Sequence, residues 1–142
     1  MKKHRLFAAV VAALTTTAFG QCKISNYGKS CGPVFNGVVT PTGNTNRVSL
    51  TVSEAAPNSR VLIMVGAVPL NLDLRPFFGG TLDCRLFVRL DFLQQHRTNP
   101  AGRYVWGHAV PSAYAGSVYA QVAELRTNGS VLTSNGIKLT CE

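Results

Sequence analysis

Residues Arg47-Val48-Ser49-Leu50-Thr51-Val52-Ser53 alternate polar and apolar without a break, the period-2 signature of a strand with one buried face. The segments after it tell the same story. Glu54-Ala55-Ala56-Pro57-Asn58-Ser59 carries turn chemistry, and Val61-Leu62-Ile63-Met64-Val65 is a continuous apolar run closed by Gly66, which predicts a central strand buried on both faces. Leu70-Asn71-Leu72-Asp73-Leu74 alternates again until Arg75-Pro76-Phe77-Phe78-Gly79-Gly80 breaks the pattern. Alternation through Cys84-Arg85-Leu86-Phe87-Val88-Arg89-Leu90 puts Cys84, Leu86, Val88 and Leu90 on one face and Arg85, Phe87 and Arg89 on the other. Asp91 to Asn99 lacks both alternation and glycine and predicts a short helix, stopped by Pro100. Strand composition resumes from Arg103 to Val110 and loosely from Ser117 to Leu125, and Asn128-Gly129 and Asn135-Gly136 are two hairpin-type dipeptides. About seven to nine short strands, with no long amphipathic helix, predict an all-β fold, an antiparallel β-sandwich. There is no repeat of fixed period and no low-complexity linker.

At 142 residues the chain has room for one small domain. Its first twenty residues read as something else. Met1-Lys2-Lys3-His4-Arg5 is a positive head, Leu6 to Phe19 is apolar and small apart from Thr15, Thr16 and Thr17, and Ala18 and Gly20 fit a cleavage site. This predicts a signal peptide over residues 1–20 and a domain over 21–142, exported to the periplasm, the cell surface or the medium. The apolar stretch is shorter than the ~20 residues a spanning helix needs, so no membrane insertion is expected once the leader is cut. Gln21 is too large and polar to precede a lipid-bearing Cys22. The formal charge of +8 falls to +5 without Lys2, Lys3 and Arg5, and lacks the lysine clustering of a nucleic-acid surface.

Cys22, Cys31, Cys84 and Cys141 all lie beyond the leader, an even number in a chain bound for an oxidising compartment, so two disulfides are expected. Zinc is excluded by spacing: no two cysteines stand two to four residues apart, and His96 and His108 have no ligand-spaced partner. Two pairings stay open. Cys22 with Cys141 and Cys31 with Cys84 would tie the first strand to the last; Cys22 with Cys31 and Cys84 with Cys141 would close a short local loop.

Tyr27-Gly28-Lys29-Ser30-Cys31-Gly32, Pro69-Leu70-Asn71-Leu72-Asp73-Leu74, Cys84-Arg85-Leu86-Phe87-Val88 and Leu132-Thr133-Ser134-Asn135-Gly136-Ile137-Lys138-Leu139 together resemble a group of secreted bacterial modules. These are small, Gly- and Pro-rich exported domains of planctomycete type. The resemblance covers nearly all of residues 21–142 and implies a β-sandwich with no established activity. It also implies that Cys31 pairs with Cys84 and leaves Cys22 with Cys141. The chain departs from such modules after Pro111, where Ser112-Ala113-Tyr114 replaces an Asn-Asp turn, so no ion or ligand role carries over there.

Residue chemistry points away from catalysis. His96 and His108 are the only bases of their type beyond the leader, neither stands in a nucleophile motif, and no Gly-x-Ser-x-Gly elbow occurs. Glu54, Asp73, Asp83, Asp91, Glu124 and Glu142 are scattered, with neither the facing carboxylates of a glycosidase nor a calcium loop. No enzyme activity, cofactor or metal is therefore expected. The basic residues carry the sharper reading: Arg85 and Arg89 around Phe87 form an anion-binding strip suited to acidic polysaccharide, unless Asp83 and Asp91 neutralise them. Trp106, on a strand with Tyr104, is either a core anchor or a stacking platform for sugar. The leading expectation is a secreted structural or adhesive module whose partners are other extracellular proteins, polysaccharide or its own copies. A lectin-like module using Arg85, Phe87, Arg89 and Trp106 is the alternative, and a small hydrolase built around His108 the third.

Overall fold

The computed structural model describes residues 21–78 and 82–142. The expected signal peptide, residues 1–20, lies outside the described residues. The strands are β1 (Cys22–Tyr27), β2 (Val34–Thr42), β3 (Thr45–Ser53), β4 (Arg60–Gly66), β5 (Pro69–Asp73), β6 (Arg85–Val88), β7 (Phe92–Arg97), β8 (Tyr104–Pro111), β9 (Gly116–Leu125), β10 (Val131–Thr133) and β11 (Gly136–Cys141), with one turn of helix, α1 (Arg75–Phe78). A six-stranded sheet runs β1-β11-β9-β4-β7 with β10 also on β9, a three-stranded sheet runs β2-β3-β8, and β5 and β6 pair by themselves. Every pairing is antiparallel. The fold is all-β and sandwich-like, with more strands than the expected seven to nine.

Alternation in β3 does what its pattern requires: Val48, Leu50 and Val52 are buried and meet Val61 and Ile63 of β4, Val122 of β9 and Ile137 of β11 across the layers. Phe35 of β2, fully buried, completes this core. The run in β4 is covered on both faces, since Met64 packs outward against Val88 and Ala123 in a second cluster. On one side the layers are closed by β1 over β2, where the Asn26 side chain donates to that of Asn36 at 3.1 Å.

Both disulfides form, Cys22–Cys141 and Cys31–Cys84. The first joins directly opposed residues of the first and last strands; the second fastens the segment before β2 to the start of β6. Their sequence separations, 119 and 53, place both among long-loop cross-links, which restrict the unfolded chain most.

Two local expectations are corrected. Phe92 to Arg97 is the strand β7, not a helix: its backbone pairs along β4 from Arg60↔Arg97 to Val65↔Phe92, and this tertiary pairing outweighs a weak local preference. Asn135-Gly136 is no hairpin turn. β10 and β11 run on successively along β9, and the buried Asn135 bridges the layers, its amide accepting from the Phe35 N–H at 3.0 Å and donating to the Phe35 carbonyl at 2.8 Å.

Candidate functional site

Between β4 and β7 the chain leaves the large sheet, builds β5, α1 and β6, and returns. This arm carries the Arg85–Phe87–Arg89 strip. Its base is bolted down: Gln121, fully buried on β9, accepts from the Phe87 N–H and donates to the carbonyls of Arg85 and Ser134, each at 2.8 Å. The hydroxyl of Thr133 adds a bond to the Arg85 carbonyl at 3.1 Å, and that of Tyr27 one to the Phe87 carbonyl at 2.8 Å. At Gly66 any side chain would run into the backbone of Arg89, so the close approach of the arm to β4 requires glycine there.

The strip does not have the surface expected of it. Phe87 is 6% exposed, edge-on to Tyr27 with ring centroids 5.7 Å apart, and its ring lies so close to Gly28 that a Cβ there would collide. Alternation fails because β6 is covered twice, by β4 and β9 on the Val88 side and by Tyr27 on the Phe87 side. Leu90, assigned to the buried face, is 53% exposed instead. Arg85 pairs with Asp83 at 2.9 Å and also donates to Asn71; Arg89 pairs with Asp91 at 3.1 Å. Arg75 repeats the arrangement with Asp73 at 2.6 Å, and hydrogen bonds from Arg75 hold the Asp73 carboxyl down at about 2. The Asp91 carboxyl is also held below the ordinary carboxylate range, first by the Ala67 N–H and then by Arg89. Each of these arginines thus has its own acid two residues away.

What the arm does expose is apolar. More than half of the large apolar side chains exposed among the described residues lie between Val68 and Leu90, with Phe77 at 66%, Phe78 at 54% and Leu72 at 43%.

Trp106 lies elsewhere, half-buried on the inward face of β8. β7 and β8 follow one another but belong to different sheets. Their connecting turn is held by Asn99, whose side-chain oxygen accepts from the N–H groups of Ala101 and Arg103, both at 2.9 Å, and just inside it His96 stacks on Tyr104 with centroids 4.3 Å apart. Towards their other ends the two strands border an apolar cleft of about 450 Å³. Val48, Leu50, Ala120 and Ile137 of the facing sheets form its walls, with Phe92 on one lip and Trp106 and His108 on the other. The Trp106 and His108 rings are 6.0 Å apart at 30°.

Among the described residues His108, which is exposed, makes no side-chain hydrogen bond to a serine or an acid, and no three His, Cys, Asp or Glu side chains gather in a metal-binding group. Glu124, one of the scattered acids of the sequence, is fully buried and serves as a brace: it accepts from the Ala56 N–H at 2.8 Å and the Ser59 hydroxyl at 3.0 Å and pairs with Arg126 at 2.9 Å. Among the described residues no helix is long and apolar enough to cross a membrane. The chain matches no known family model, no curated protein and no solved structure.

Proposed function

We propose that this chain is an exported, non-catalytic module whose work is structural or adhesive contact, and that the β5–β6 arm makes the contact. The observation that carries this reading is the concentration of exposed apolar side chains on an arm that a disulfide and Gln121 anchor to the body. A concentration of exposed apolar side chains on one water-facing element is characteristic of a place where another surface docks. The three arginines of the arm are matched by three aspartates, so the arm favours an uncharged, apolar partner over a polyanion. A second copy of the chain has that chemistry. β5 and β6 form a two-stranded sheet, which is marginal alone and offers the outer edge of β5 for pairing about a two-fold axis. Export is supported by the cysteines, all four of them in disulfides, which persist outside the reducing cytoplasm.

The test is sedimentation equilibrium of the purified, oxidised protein over a wide concentration range, beside Leu72→Glu and Phe77→Ser. Concentration-dependent dimers that both variants abolish, with their melting temperatures retained, support the reading. A wild-type protein that stays monomeric throughout overturns self-contact through the arm. Binding to acidic glycans that rises at low salt and vanishes in Arg85→Ala/Arg89→Ala would replace it with the polysaccharide reading.

A further inference from the structure

We infer that the cleft between β7 and β8 is a binding site for a neutral, largely apolar small molecule of about three aromatic-ring volumes. The site is separate from the contact surface of the arm. Its size sets the first limit: the cleft holds about 450 Å³, and a cavity of ~150 Å³ accepts one benzene. That volume lies inside the ordinary range of small-molecule pockets.

Charge sets the second limit. Among the described residues no Asp, Glu, Lys or Arg lines the cleft, so an ionised ligand would lose its water with no opposite charge there to receive it. Among the described residues only three lining side chains carry a polar atom, the exposed His108 and Tyr114 and the half-buried Trp106, and these stand at the rim. Neither the His108 imidazole nor the Tyr114 hydroxyl makes a side-chain hydrogen bond among the described residues. A ligand with one hydrogen-bonding group can bury its apolar body between the sheets and keep that group at this rim.

Architecture explains why the cleft exists. The core is sealed where β1 covers β2 and where His96 stacks on Tyr104, but among the described residues β7 pairs only with β4 and β8 only with β3, and no backbone ladder there draws their far ends together. The aromatic groups lie at this opening, with Phe92 across from Trp106. Trp106 is the single tryptophan of the chain, so the site carries its own reporter.

The experiment titrates the oxidised protein with phenylnaphthylamine, a neutral three-ring probe with one N–H, and with anilinonaphthalene sulfonate, the same ring framework bearing an anion. Saturable one-to-one binding of the neutral probe is expected, with quenching of Trp106 fluorescence and roughly tenfold weaker binding of the sulfonate. Val118→Phe fills the cleft and should abolish binding. Phe92→Ala removes an exposed lip residue without touching the core, and should weaken binding several-fold at an unchanged melting temperature. No saturable binding, an unaltered Trp106 signal, equal affinity for the two probes, or full binding by both variants would each overturn the assignment.

Discussion

Replacing Gln121 by leucine tests whether one buried amide joins the arm to the body. Leucine is close to glutamine in size, so the substitution removes hydrogen bonds with little change in packing. The Phe87 N–H and the Ser134 carbonyl lose the side-chain partner that each has at 2.8 Å, while the Arg85 carbonyl keeps the Thr133 hydroxyl at 3.1 Å. Two orphaned buried groups at ~1–3 kcal/mol each give a loss of about 2–6 kcal/mol. The apolar gain of leucine offsets part of this, so we expect about 3 kcal/mol. Urea unfolding reads the global loss as a shift of the midpoint at constant slope. Amide exchange at Arg85 to Val88 reads the alternative route, in which the arm lifts locally and water satisfies the orphaned groups. Either a midpoint shift of the expected size or rapid exchange confined to β6 agrees with the argument. A loss below ~1 kcal/mol together with unchanged exchange refutes it, because buried orphaned groups cannot be that inexpensive.

Cys22→Ser/Cys141→Ser should destabilise the protein by about 5 kcal/mol and Cys31→Ser/Cys84→Ser by about 4 kcal/mol on the loop-entropy relation, checked by denaturant unfolding of the oxidised proteins. Burial, together with the nearby Tyr119, pushes the Tyr27 hydroxyl up from 10.0 to about 12. The neutral phenol is therefore the form the fold prefers: its contribution is complete below pH 10, declines as pH rises and is gone above about 12. Tyr27→Phe should flatten that alkaline limb, read by unfolding at successive pH values. Glu124→Ala leaves Arg126 and the Ala56 N–H without their partner and should lose about 3–5 kcal/mol by thermal or urea unfolding, whereas Glu142→Ala, at the exposed chain end, should be silent.

Local pattern was enough for β3 and β4, because each obeys a rule written in consecutive residues: alternation where one face is covered, a continuous run where both are. It failed at β6 and β7 for a shared reason. The facing of Phe87 is decided by Tyr27, sixty residues earlier in the chain, and the pairing of Phe92 to Arg97 by β4; neither partner leaves a mark within the segment itself. The possible neutralisation of Arg85 and Arg89 was visible as acids two positions away, and the structure forms both pairs. Gln121 and Glu124 were not visible as anchors, since a buried amide or carboxylate looks in sequence like any polar residue on the outer face of a strand. The cleft was least legible of all. Its walls come from β3, β4, β8, β9 and β11, and of the candidate residues named from sequence only Trp106 and His108 lie on it.

The disulfides and the cleft are linked by the energetics of a small domain. A chain of this length buries a modest core, and leaving an apolar cleft open forgoes part of the burial that would otherwise hold the layers together. The cross-links act on a different quantity, the freedom of the unfolded chain, and so stabilise the fold without filling the cleft. Their placement fits that division. Cys22–Cys141 fixes the outer strand β1 to β11, on the side where β1 covers β2, and Cys31–Cys84 ties the arm to the segment before β2. Neither bond crosses from β7 to β8. The sandwich is therefore cross-linked away from its opening, and no disulfide ties together the strands that border the cleft.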